Sequence, residues 1–226
     1  MELKTIAHIY NDFTEKFGIP RQSGLVPQMI SQIVFEKEYR EQEALRGIEE
    51  YSHLWLLWHF SENSKTEWSP CVRPPRLGGN KRVGVFATRS PFRPNPIGLS
   101  SVKLEKIEHT KDKGTVLYVS GADILSGTPI FDIKPYIAYT DSHPDAKCGF
   151  ADKMLDYSLN VDFPKNLLIT LPENLHEIVI TMLKNDPRPS YQNDERTYSM
   201  CYGNYEIKFI VKNNILTVTD VAQIKK

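Results

Sequence analysis

Between Ser90 and Gly98 the chain reads Ser-Pro-Phe-Arg-Pro-Asn-Pro-Ile-Gly, and no other stretch restricts the fold so tightly. Each proline locks its own φ, deletes a backbone donor, and pushes the residue before it out of the helical region. With Pro91, Pro94 and Pro96 inside six positions, neither a helix nor the interior of a sheet passes through this segment. It reads as an extended loop whose freedom is largely spent before any ligand arrives, so that Arg89, Ser90, Arg93 and Asn95 are held in set directions. A loop that only connects strands would have the same composition, and the residues alone leave both readings open.

The segments around this loop are β-like. Residues 82–87, 97–108, 115–120 and 130–137 are short, rich in valine and isoleucine, and separated by glycine or by charged turns such as Lys111-Asp112-Lys113-Gly114, which predicts strands. Residues 3–10 read as a first strand, and the apolar run from Leu54 to Phe60 as a buried one. Strands of this length and spacing favour a small barrel or a strongly curved mixed sheet. No Gly-x-Gly-x-x-Gly follows the first strand, so the fold is not expected to be of the Rossmann type. Phe17–Gly24 reads as a loop, and the spacing of Ala44, Leu45 and Ile48 predicts a short amphipathic helix.

Beyond the polar stretch from Asp162 to Pro172, Leu175, Ile178, Val179, Met182 and Leu183 recur at helical spacing, and the helix must stop before Asp186-Pro187. Residues 205–212 and 215–221 alternate around Asn213-Asn214, a good two-residue hairpin turn. The expected architecture is therefore mainly β with α (α+β): a domain built as a small barrel or a strongly curved mixed sheet over residues 1–163, and a small α+β domain over 164–226.

Formal net charge is zero, with 28 basic and 28 acidic residues, so the whole chain has no general attraction for polyanions. Its distribution is uneven. No acidic residue lies between Glu67 and Glu105, where the average density would place four or five, and that interval carries Arg73, Arg76, Lys81, Arg82, Arg89, Arg93 and Lys103. A one-signed patch on a neutral protein suits an anionic partner at one place; a solvated basic face is the plainer alternative. The start of the chain lacks the plan of a signal peptide, and no run approaches the roughly 18 apolar residues of a membrane span, which sets the expectation of a cytoplasmic protein. Cys71, Cys148 and Cys201 form no Cys-x-x-Cys pair, so neither a disulfide framework nor a zinc ribbon is expected.

A second polar cluster, Gly121-Ala122-Asp123-Ile124-Leu125-Ser126-Gly127-Thr128-Pro129, opens directly into a strand on which Asp132, Lys134 and Tyr136 share one face. The three side chains are placed to form a hydrogen-bonded trio, although ion pairing along an exposed strand explains the same spacing.

Taken in order, Pro20-Arg21-Gln22, the His-Leu-Trp run ending at His59, Arg73-Pro74-Pro75-Arg76, Ala87 to Ser100, Gly127-Thr128-Pro129 and Asp132-Ile133-Lys134-Pro135-Tyr136 resemble the motifs of the TrmO family, also called YaeB or TsaA-like, from about Ile6 to Phe150. Asp186-Pro187-Arg188-Pro189-Ser190-Tyr191 is similar to the short motif of that family's bacterial C-terminal domain. The resemblance implies a β-barrel methyltransferase that acts as a homodimer, binds S-adenosylmethionine near the subunit interface, and methylates N6 of threonylcarbamoyladenosine (t6A) at position 37 of tRNA. The matching cofactor positions are Pro20, Arg21, Gln22, His59, Phe60, Arg89 and Leu99, with Asp123, Ile124, Leu125 and Ser126 in the turn. Ser126 stands where the family commonly has aspartate.

The implied chemistry asks for few reactive groups. A sulfonium methyl is already activated, so the protein must chiefly align nucleophile and methyl, which can contribute ~7–11 kcal/mol in favourable cases. A carbonyl on the target nitrogen delocalises its lone pair, and a base would assist. Asp132 is the candidate, with Tyr136 second and Lys134 placed to polarise the carbonyl. Arg73, Arg76, Lys81, Arg82 and Arg93 are candidates for tRNA phosphates or the threonyl carboxylate. No metal is expected, since Asp141-Ser142-His143-Pro144-Asp145 matches no established ligand spacing. Two other classes stay open: a module that binds S-adenosylmethionine or tRNA without turnover, and a hydrolase using Asp132 with Asp123.

Overall fold

The computed structural model describes residues 2–63, 67–74, 77, 81–154, 157–188 and 196–224. Eight strands come first: β1 (Ala7–Tyr10), β2 (Ile30–Phe35), β3 (His53–His59), β4 (Cys71–Val72), β5 (Val83–Gly84), β6 (Ile97–Thr110), β7 (Gly114–Ser120) and β8 (Thr128–Pro135). Six of them close into an antiparallel barrel in the order β1-β2-β7-β6-β3-β8, while β4 and β5 form a separate two-stranded ribbon. Closure leaves the barrel without a free edge. Strand β6 serves two neighbours, pairing with β3 over its first half and with β7 over its second, and a bulge between Leu104 and Lys106 marks the corner.

Strand β3 alternates, where the sequence predicted a continuously buried run. Leu54, Leu56 and Trp58 point inward at 0%, 0% and 7% exposure, and Trp55, Leu57 and His59 lie on the outer surface. The outer face is apolar because other side chains cover part of it: Trp55 donates its indole N–H to Asp141 Oδ2 at 2.8 Å and packs on Tyr136. Trp58 faces Gly98 across the β3–β6 pair. A Cβ at position 98 would stand 2.2 Å from the Trp58 ring, so only glycine lets the indole lie across β6.

Residues 37–50 form three 3₁₀ turns instead of the expected helix. Gly47 at φ 86° breaks any helical continuation, and Leu45 and Ile48 still reach the barrel core. The expected strand at 82–87 is mostly such a turn as well, since only Val83 and Gly84 pair.

The second half of the chain carries α1 (Ala138–Asp141), β9 (Asn160–Asp162), α2 (Lys165–Leu168), α3 (Glu173–Lys184), β10 (Tyr198–Tyr202), β11 (Tyr205–Lys212) and β12 (Ile215–Gln223). Its sheet runs β10-β11-β12-β9, with β9 parallel to β12. Helix α3 buries Ile178, Val179, Met182 and Leu183. Asn213 and Asn214 both adopt positive φ, 48° and 62°, as the primed turn of a two-residue hairpin demands. No helix among the described residues is long and apolar enough to cross a membrane. Burial beside Glu15 and Glu206 pushes the Cys201 thiol up to about 11, which makes it a poor nucleophile.

The described residues form two cores. One fills the barrel; the other lies between α3 and the second sheet and takes in Phe13, Val26 and Met29 from the segment joining β1 to β2. Gly18 marks how closely that segment approaches: its φ is 95°, and a Cβ there would meet Met200 at 2.6 Å.

Gly98→Ala is expected to cost ~1–3 kcal/mol by overpacking, which lowers the unfolding midpoint by roughly 2–12 °C in a chain of this size. Thermal melting checks it. Adding Trp58→Leu should restore part of the loss; a midpoint unmoved by the alanine would show that the indole is not held by the glycine.

Candidate functional site

The turn after β7 brings Asp123 to one end of the barrel, where it meets a hydrogen-bond chain starting inside. Trp58 Nε1–H donates to Ser100 Oγ at 2.9 Å, and Ser100 O–H donates to Asp123 Oδ1 at 2.5 Å. Burial pushes the Asp123 carboxyl above its ordinary value; the Ser100 hydroxyl, backbone N–H groups and the positive charge of Arg89 pull the other way without cancelling it. Arg89 in turn donates from Nη1 to Gln22 Oε1. Gln22, Arg89 and Asp123, spread over a hundred positions of sequence, thus meet in one cluster with Ser23 and Ser100.

The rest of the turn is used internally. Ile124 is fully buried in the barrel core and its carbonyl accepts from Asn11 Nδ2 at 2.9 Å. Leu125 packs against the second core. The Ser126 hydroxyl accepts the Asn11 backbone N–H at 3.1 Å, and the Ser126 N–H donates to Phe13 O at 3.1 Å. A carboxylate oxygen would accept the same bond from Asn11, so serine in place of aspartate preserves the anchoring of the turn. Pro20 is buried. Arg21 reaches the last third of the chain, where its Nη2 donates to the carbonyls of Asp186, at 3.2 Å, and Arg188. Phe60 packs on Trp58 with ring centroids 4.3 Å apart, and its N–H donates to Pro96 O at 3.0 Å.

A second group lies on the outside of the same wall. The register sets Leu99 beside Leu57 and Leu57 beside Asp132, so the three form a row across β6, β3 and β8, with Leu99 and Asp132 about 10 Å apart by strand spacing. A bulge at Phe131 keeps Ile130 and Ile133 inward and leaves Asp132 outward; the Phe131 ring contacts His59 at 5.7 Å. Lys134 Nζ lies 2.8 Å from Asp132 Oδ2, and the Ile133 N–H donates to Asp132 Oδ1. These side chains are 61% and 43% exposed, so the pair contributes at most ~1 kcal/mol to stability. Tyr136 does not join them; its ring sits with Trp55 and His53 at 5.4 and 6.1 Å. The expected trio is therefore a pair plus an aromatic group.

In the proline-framed loop, Arg93 is a staple: its Nη1 donates to the carbonyls of Thr88 and Ser90, both at 3.1 Å. Arg73, Lys81 and Arg82 are exposed on and beside the β4–β5 ribbon. Arg76 lies outside the described residues. A surface hollow of about 600 Å³, lined by Leu3–Thr5 and Glu36–Arg40, shares no residue with either group. Sequence reasoning passed over Ser100, although a hydroxyl between Gly98 and Val102 on the inward face of an alternating strand was a visible signal.

The model of the tRNA-methyltransferase O N-terminal domain matches residues 8–142, and that of the TrmO C-terminal domain matches residues 156–224. The chain is 38% identical over 219 residues, covering 93% of each protein, to the tRNA (adenine(37)-N6)-methyltransferase of Escherichia coli K12. It is 37% identical over 227 residues, 96% of each, to a Pseudomonas aeruginosa protein described provisionally as the S-adenosylmethionine-dependent methyltransferase RcsF. The crystal structure of TrmO from Pseudomonas aeruginosa superposes with a TM-score of 0.77 at 33% identity, covering 98% of both chains.

Because the Asp123 carboxyl is raised, the native state holds its proton more tightly than the unfolded chain does. Stability is full below the ordinary carboxylate range and falls as pH rises through the folded value. Asparagine is neutral throughout. Asp123→Asn is expected to melt above the unsubstituted chain near pH 8, with the advantage shrinking as pH falls toward the ordinary carboxylate range. Melting curves across that range test it, and a gain independent of pH would rule out the charge as its source.

Proposed function

The chain belongs to the tRNA-methyltransferase O family, and we propose on that premise that it transfers the methyl of S-adenosylmethionine to N6 of threonylcarbamoyladenosine at position 37 of tRNA. The observation that carries the reading from family to this chain's own residues is the convergence of Gln22, Arg89 and Asp123 on the Trp58–Ser100 chain. A binding module without turnover is not favoured, since relatives matched over nearly their full length are named as methyltransferases.

The cluster suits the donor chemically. A largely enclosed carboxylate at Asp123 fits ribose hydroxyls or an ammonium group, Gln22 and Arg89 supply donors for a carboxylate, and Phe60 offers apolar surface for adenine, with Leu99 on the outer face reaching the donor only from a second copy. Bound there, S-adenosylmethionine supplies an activated electrophilic methyl. The protein's own share is alignment. The loop from Ser90 to Gly98, stapled by Arg93, holds its backbone in place, and the Ser100 hydroxyl fixes the Asp123 carboxylate. Asp132 takes the N6 proton on its carboxylate, and Lys134, 2.8 Å away, faces the carbonyl attached to that nitrogen. Arg73, Lys81 and Arg82 meet tRNA phosphates.

Within one chain the inner cluster and the outer row lie on opposite faces of β3 and β6. A homodimer, in which one copy's outer face completes its partner's site, reconciles them, and the outward Leu57 and the 54% exposed Leu99 give such a contact apolar surface. We place the enzyme in the cytoplasm with its tRNA substrate.

Incubation with labelled methyl donor and threonylcarbamoylated tRNA is expected to move label into the RNA at the threonylcarbamoyladenosine; tRNA lacking the threonylcarbamoyl group should stay unlabelled. Donor binding without transfer would sink the catalytic reading. Asp132→Asn is expected to lower the single-turnover rate by ~10²-fold or more with donor affinity unchanged. Arg73, Lys81 and Arg82 changed together to alanine should reduce the salt slope of tRNA binding by about 2–3. An unchanged slope would show that the ribbon does not face phosphate.

A further inference from the structure

Asp186 and Arg188 form an enclosed ion pair in the second domain, with side chains 6% and 8% exposed. Arg188 Nε donates to Asp186 Oδ1 at 2.9 Å, Nη2 to Oδ2 at 3.1 Å, and the Arg188 backbone N–H to Oδ1 at 3.2 Å. Tyr157 O–H adds a fourth donor, to Oδ2 at 2.7 Å. Burial alone would push the Asp186 carboxyl up; the bonds from Arg188 and Tyr157 with the guanidinium charge outweigh it and hold it below its ordinary value. Asp186 also sits at φ 49°, in the left-handed region.

As a source of stability this is poor design. A buried pair recovers its desolvation cost only with excellent geometry, apolar residues often do as well, and the left-handed backbone adds strain. What the arrangement achieves is direction. The pair closes the Asp186-Pro187-Arg188 turn on itself, and the carbonyls of residues 186 and 188 then face one donor, Arg21 Nη2 from the first domain. Arg21 adjoins Gln22, which accepts from Arg89, whose charge reaches Asp123. The ends of this loop are tied separately, by Gly24 N–H donating to Gly121 O at 2.8 Å and by Gly18 packed on Met200. Arg21 anchors its middle.

We infer that the Asp186–Arg188 pair is a positioning strut, through which the second domain sets the loop from Ile19 to Ser23 and so governs how tightly the Gln22–Arg89–Asp123 cluster binds the methyl donor. The inference rests on the reading of that cluster as the donor site. Asp186 and Arg188 touch no reacting atom; they act through Arg21.

The test uses the full chain with S-adenosylmethionine itself. Removing one charge would strand the other, so both go together: Asp186→Asn with Arg188→Met, asparagine being tolerant of the left-handed conformation. Calorimetry should show the donor's Kd rising roughly tenfold or more, with kcat at saturating donor within about twofold. Hydrogen exchange should speed up at the amides of Arg21, Gln22 and Ser23, the last of which hydrogen-bonds Asp123, and stay unchanged in β11 and β12. Arg21→Ala alone should match the strut variant, and adding it to that variant should change little, because both cut the same connection. Effects that multiply in full would show that Arg21 touches the donor directly and overturn the strut. So would donor affinity and loop exchange both at the unsubstituted level in the folded double variant. If the double variant fails to fold, Tyr157→Phe, which deletes one hydroxyl, must shift affinity and exchange in the same direction by a smaller amount, and no shift overturns the proposal. Should the unsubstituted chain bind no S-adenosylmethionine, the functional reading falls, and loop exchange alone judges the strut.

Discussion

The indole of Trp58 lies across β6 because the residue opposite is glycine, and much of the candidate site is aligned from that contact. The ring fills the barrel beside Phe60, its N–H reaches Ser100, and the Ser100 hydroxyl then has one direction left in which to donate, toward Asp123. A carboxylate at the mouth of a barrel would otherwise turn to water. Here it is held by a donor that is itself held, so its orientation is set before any ligand arrives, at the expense of burying a group that would rather be neutral.

Rigid preparation continues outside the barrel. The proline-framed loop has little backbone freedom, and Arg93 stays with its own loop's carbonyls. The described part of the basic stretch thus divides three ways: Arg93 is structural, Arg89 faces the cluster, and Arg73, Lys81 and Arg82 face solvent. Charge counting could find the patch but could not sort its members, because a cation's role depends on which carbonyls or carboxylates the fold brings within reach.

The legible parts were those governed by local rules. The hairpin at Asn213-Asn214 followed from the left-handed tolerance of asparagine and α3 from its apolar spacing, while short strands without a phosphate-binding glycine motif pointed to a barrel or a curved mixed sheet, of which the barrel is the one found. What escaped was tertiary. Residues 37–50 have helix-forming composition, yet Gly47 and the need to follow the barrel wall turn them into separate 3₁₀ turns. Asp132, Lys134 and Tyr136 share a period, but Trp55 and His53 draw the tyrosine ring aside. Arg21 sits in a cofactor-like motif, while its guanidinium reaches a turn more than 160 residues away, a pairing no spacing rule can see.

The segment between β1 and β2 sends Phe13, Val26 and Met29 into a core otherwise built from the last third of the chain. During synthesis the N-terminal strands emerge long before Phe209, Leu216 and Val218 exist to receive those side chains. Barrel strands flanking an unsatisfied hydrophobic segment must wait, sheltered or exposed, until the final hairpin leaves the ribosome. The order in which this protein can finish folding is therefore written into which core its first thirty residues join.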